Sequence, residues 1–132
     1  MAPSDNFHCS VVTPERAVLE CDAKFVALPA WDGEVGILKG RAPLLCKLGI
    51  GRLRIETADE KHVLFVDGGF AEMLGDQLTI LTEDARVPDE LDRQTASSDL
   101  DAARALAVTD DASFEARQKA LQRARTQLRL TK

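Results

Sequence analysis

Up to residue 86 the apolar positions come in short runs separated by turn residues. Val11-Val12, Ala17-Val18-Leu19 and Phe25-Val26-Ala27-Leu28 lead, and Leu53 and Ile55 then alternate with Arg52 and Arg54. Val63-Leu64-Phe65-Val66 and Leu78-Thr79-Ile80-Leu81 follow, flanked by Asp67-Gly68-Gly69 and Gly75-Asp76. Runs of this length and spacing predict antiparallel strands in a sandwich or barrel. Trp31 lies beside Asp32-Gly33, a turn signal, which places it in a loop rather than mid-strand.

After Pro88 the period changes to that of helices. Ala96, Leu100, Ala103 and Ala107 share one face, with Asp92, Asp99 and Asp101 largely elsewhere. Pro88 suits a first helical turn, and Asp89-Glu90 suit the positive end of the helix dipole. Thr109-Asp110-Asp111 breaks this helix and supplies an N-cap for the next. The second helix carries Phe114, Leu121 and Leu128 at heptad spacing, beside a stripe of Ala116, Ala120 and Ala124. Residues 1–86 are thus read as a β-sandwich domain and 87–132 as a helix-turn-helix hairpin. Small side chains bury little area, so the hairpin is expected to be marginal alone and movable.

Composition sharpens this division. Seven of the eight glycines lie between Gly33 and Gly69, and nothing after Pro88 is Gly or Pro. The 132 residues carry a net charge of −5, distributed as −5 up to Arg86, −5 from Val87 to Asp111 and +5 from Ala112 onward. An acidic whole argues against gripping nucleic acid. No apolar run approaches the roughly 20 residues that span a bilayer. Met1 to Phe7 shows neither a secretory nor a transit pattern, so a cytosolic chain, or one held at a membrane only through other proteins, is expected.

Residues suited to reactive chemistry are few. Cys9, Cys21 and Cys46 include no C-x-x-C pair, which disfavours both a disulfide framework and a zinc site. His8 beside Cys9 reads as half a metal site or as two strand residues facing opposite sides; the alternation of strand side chains favours the second. No phosphate-cradling glycine loop occurs, and Gly49-Ile50-Gly51 lacks a third glycine. Neither a catalytic residue, a metal ligand nor a cofactor is expected.

Three motifs in order carry a resemblance. Val12-Thr13-Pro14-Glu15 follows the first strand. The stretch Pro29-Ala30-Trp31-Asp32-Gly33-Glu34-Val35-Gly36-Ile37-Leu38-Lys39-Gly40-Arg41-Ala42-Pro43-Leu44 resembles P-x-x-x-G-x-x-G-I-L-x-G-H-x-P-L, and Gly68-Gly69-Phe70-Ala71-Glu72 resembles G-G-F-x-E. With the hairpin, the chain resembles the bacterial-type epsilon subunit of F-type ATP synthases. The resemblance implies a sandwich of about ten strands followed by the helical hairpin. It also implies a non-catalytic place in the central stalk, between the gamma subunit and the ring of membrane c subunits, on the cytoplasmic side of the bacterial inner membrane. Trp31, Asp32, Gly33, Glu34, Arg41, Ala42 and Pro43 would form that interface, with Glu34 matching the position that approaches the c ring. For Gly33 and Gly36 a plain tight β-turn is an equal reading. Arg41 replaces the usual His, keeping a donor and losing titration near neutral pH.

The same resemblance implies a hairpin that can extend into the alpha/beta catalytic head and there block ATP hydrolysis. Arg117, Arg123, Arg125 and Arg129 would then meet acidic beta-subunit segments; a solvated helical face is the other reading. Some family members instead bind ATP in the folded hairpin, through I/L-D-x-x-R-A. That motif falls at Leu91-Asp92-Arg93-Gln94-Thr95-Ala96, where Thr95 replaces the arginine. Arg86 stands where an acid is expected six residues before Asp92, and Gln127 stands for a second-helix arginine four residues after Arg123. Asp92 and Arg123 are the residues left for a nucleotide. A rotor subunit and an ATP-sensing module are thus the two functions in play.

Overall fold

The structure is a computed structural model and describes residues 5–131. Met1 to Ser4, part of the segment read above for targeting signals, and Lys132 lie outside the described residues. Eight strands precede two helices: β1 (Phe7–Val12), β2 (Ala17–Ala23), β3 (Phe25–Ala30), β4 (Gly33–Ile37), β5 (Leu44–Glu56), β6 (Lys61–Leu74), β7 (Gln77–Leu81) and β8 (Ala85–Arg86). Their order is β2-β1-β7-β6-β5-β3-β4, with β8 beside β6. All pairs are antiparallel except β1 with β7, where His8 faces Gln77 and Val12 faces Leu81.

The count is eight among the described residues, not ten, because β5 and β6 run for 13 and 14 residues. Each serves both halves of the sandwich. One end of β5 pairs with β3, and the C-terminal end of β6 pairs with β7. Both strands pass the corner at glycines: Gly49 falls out of the register between Leu48↔Gly69 and Ile50↔Asp67. Gly68 and Gly69 adopt φ of +68° and +103°, a region that other L-residues rarely enter. A Cβ on Gly69 would land on the carbonyl oxygen of Leu81.

One apolar core joins the two halves. Phe7, Leu28, Ile37, Leu53, Ile55, Leu64, Met73, Leu78 and Ile80 are fully enclosed within it or nearly so. Burying side chains of this size contributes about 1.5–3 kcal/mol each before the entropy of ordering the chain is subtracted. Cys9 is buried in this core while His8 reaches the surface, as the alternation of a strand requires.

The hairpin differs from expectation at its edges. Pro88 opens a separate 3₁₀ turn (Pro88–Glu90), and α1 begins only at Arg93 and ends at Arg104. The reason is Asp92, whose carboxylate accepts from the Thr95 N–H at 3.0 Å and holds an extended N-cap. Ala107 therefore lies beyond the helix and is exposed, and so is Ala116. The helix α2 (Asp111–Leu130) starts within the expected Thr109-Asp110-Asp111 stretch; Asp110 is the cap, and the Ser113 N–H donates to its Oδ1 at 2.8 Å. Leu100, Ala103, Leu121 and Ala124 form the buried centre of the hairpin, with Ala120 and Leu128 packed against it; Ala96 is buried too, and Phe114 stays exposed. The α2 helix also packs on β5 and β6, so the hairpin is folded against the sandwich. Neither helix is long and apolar enough to cross a membrane.

Candidate interaction surfaces

The turn between β3 and β4 consists of Trp31 and Asp32, closed by the pair Ala30↔Gly33. Trp31 is 70% exposed, an unusual position for a large aromatic in water. Gly33 takes φ +144°, which lets the chain re-enter β4 directly. Arg41, Ala42 and Pro43 occupy the exposed connection from β4 to β5, tied by the Arg41 N–H to the Leu38 carbonyl at 3.3 Å. Asp32 and Arg41 both act on Cys46 at the start of β5. Burial pushes its thiol up, Asp32 pushes the same way and Arg41 opposes them. The two connections thus flank one stretch of β5. Glu34 is turned elsewhere: its carboxylate accepts from Arg54 Nη2 at 3.3 Å.

A second surface was not read from the sequence. Leu45, Phe70, Leu74 and Leu81 are each more than half exposed, while their neighbours Ala71, Met73, Leu78 and Ile80 are buried. Phe70 faces both Lys47 and Leu81 in register, and Glu72 faces Leu45, so these positions share one outer face of β5, β6 and β7. The signal available was Phe70, Glu72 and Leu74 in alternation. Only strand register shows that three strands add apolar groups to the same side. Clustered exposure of this kind marks a protein contact surface.

The basic side chains of the hairpin separate by role. Arg117 Nη2 donates to the carbonyl of Arg104 at 3.4 Å and so serves an unpaired group at the end of α1. Arg123 Nε donates to Asp67 Oδ2 at 2.6 Å. Arg125 and Arg129 are exposed and join Arg93 around an open cleft of about 460 Å³. On the other side of α2, a cleft of about 520 Å³ separates Gln122, Thr126, Arg129 and Leu130 from the Trp31 turn. The two residues left for a nucleotide are both engaged. Asp92 caps α1 and also accepts from Thr95 Oγ1 at 2.6 Å, and Arg123 is held by Asp67. Among the described residues no three His, Cys, Asp or Glu side chains converge to hold a metal ion.

Comparison with known proteins gives these surfaces a context. Residues 6–88 match the family described as ATP synthase, Delta/Epsilon chain, beta-sandwich domain. The ATP synthase epsilon chain of Rhodopirellula baltica is 41% identical over 127 residues, spanning 96% of this chain and 99% of that one. The chloroplastic epsilon chain of Guillardia theta is also 41% identical, over 73% of each chain. The fold is similar to a chain in the Euglena gracilis mitochondrial ATP synthase assembly of OSCP, F1 and c-ring. The TM-score is 0.81 at 22% identity, covering 96% of this chain and 87% of that one. By its sandwich, its motifs and these relatives, the chain belongs to the ATP synthase epsilon chain family.

Proposed function

We propose that the protein is a non-catalytic rotor subunit that joins gamma to the c ring in proton-driven ATP synthesis. The observation that carries this reading is the asymmetry of the sandwich. Its hairpin covers β5 and β6 near Ile50 and Asp67, while the apolar outer face around Phe70 and Leu81 is left uncovered. Gamma docks on that open face, and the Trp31 turn with the Arg41 connection meets the polar loops of the c ring. The chain is then a peripheral component of the cytoplasmic side of the inner membrane, with no lipid contact of its own. Labour divides near residue 86: the sandwich couples, and the hairpin regulates. When extended, the hairpin carries its basic residues to acidic beta-subunit segments in the catalytic head and slows ATP hydrolysis.

The test is co-purification of the full chain with gamma and the c ring. Phe70→Glu together with Leu81→Ser places charge and polarity on the open face without touching the core. This variant is expected to melt near the wild type and to lose gamma; wild-type recovery of gamma would overturn the docking face. Removing residues 87–132 from the assembled enzyme is expected to raise ATP hydrolysis. Unchanged hydrolysis would leave the hairpin without an inhibitory role.

A further inference from the structure

The hairpin is fastened to the sandwich by a small polar clasp. Arg123 donates from Nε to Asp67 Oδ2 at 2.6 Å and from Nη2 to Oδ1 at 3.3 Å, a two-point pair. The neighbouring Gln122 Nε2 donates to the Ile50 carbonyl at 2.8 Å. The pair is partly withdrawn from water, with side-chain exposures of 21% for Asp67 and 41% for Arg123. Asp67 is itself held in place. Its N–H donates to the Asp84 carbonyl at 3.0 Å and lies 3.2 Å from Thr82 Oγ1, and the Gly68-Gly69 corner follows it directly. The carboxylate is therefore presented by a fixed corner of β6, whereas the apolar centre of the hairpin is small, four buried residues with Ala120 and Leu128 packed against them.

The geometry points to Asp67 as an internal competitor for Arg123: the sandwich supplies the carboxylate that an acidic docking partner of α2 would otherwise supply. Arg123 travels with α2, so it cannot pair with Asp67 on β6 and with an acidic partner away from the sandwich at the same time. Asp67 thereby sets how readily the hairpin leaves the sandwich. Salt weakens the clasp, because the pair is only partly shielded from solvent. The clasp stands on the contacts alone; its regulatory consequence rests on the inhibitory role proposed above.

Hydrogen exchange on the full free chain tests the clasp, using Asp67→Asn, Arg123→Gln and the double variant. Each single variant is expected to speed exchange of the α2 amides beyond Leu121 by roughly three- to tenfold, the double variant adding nothing further. Protection in β5 and β6 should be unchanged. Wild-type exchange in both single variants overturns the clasp, and Arg123→Gln, on the helix, keeps the test valid if Asp67→Asn disturbs the sandwich. Hydrolysis by the assembled enzyme tests the competition. Asp67→Asn is expected to deepen inhibition about two- to fivefold and Arg123→Gln to relieve it, whereas a merely structural pair moves both in one direction. Equal effects of the two variants, with α2 loosened in the free chain, overturn the competition and leave the clasp standing.

Discussion

At Gly69 a hydrogen in place of a methyl group decides whether β6 can turn its corner. The backbone sits at φ +103°, and the Leu81 carbonyl occupies the space a side chain would need. Gly69→Ala is expected to cost about 3 kcal/mol or more, read as a lower urea midpoint with an unchanged slope. The G-G-F motif was visible in the sequence, but the strand that forbids a Cβ was not, since Leu81 arrives from β7. Asp67 has the same history: it reads as a turn residue, and its partner Arg123 lies 56 positions away. Cys9 offers a pH test. Burial, aided by Cys21, pushes its thiol from 9.0 to about 12. The folded state prefers the neutral thiol, so this contribution is complete below pH 9 and is lost as pH rises toward 12. Stability measured across that window is expected to fall less steeply in Cys9→Val, and thiol reagents at pH 8 should reach Cys9 only on unfolding.

Among the elements, the helices were the most legible and their ends the least. Period and composition located both, and Asp110 was readable as a cap because it follows Thr109 at a break. Asp92 was not, since Pro88 offered a competing start and only the Thr95 contact decides between them. Both caps make an acid prediction. Hydrogen bonds from Thr95 and Ser113 hold the carboxyls of Asp92 and Asp110 below the ordinary 3.8. Their contribution is present above that value and is lost as pH falls through the lowered one. Exchange at the first turns of α1 and α2 is expected to quicken below pH 3.8, ahead of the strands. Asp92→Asn, which keeps an acceptor without the charge, should flatten that dependence for α1 alone.

For the molecule as a whole, motif order identified the family over nearly the entire chain, while the open face needed the register of three strands. The hairpin's charges were legible as a +5 segment, but not which of them are already spent on the sandwich. That distinction bears on nucleotide binding. With Thr95 and Gln127 in place of arginines and Arg123 held by Asp67, millimolar ATP is expected to leave the melting temperature unchanged; a saturable rise would restore the ATP-sensing reading. The parallel pairing of β1 with β7 has a further consequence, for the time course of folding. His8 cannot meet Gln77 until about 70 further residues exist, whereas β5 and β6 form a local hairpin as soon as Leu74 is made. Leu53→Ala is therefore expected to slow refolding and Val11→Ala mainly to speed unfolding, in stopped-flow experiments. On the ribosome β1 and β2 can pair early, but they are linked to the rest of the sheet only through β7, so that N-terminal pair joins the sandwich late.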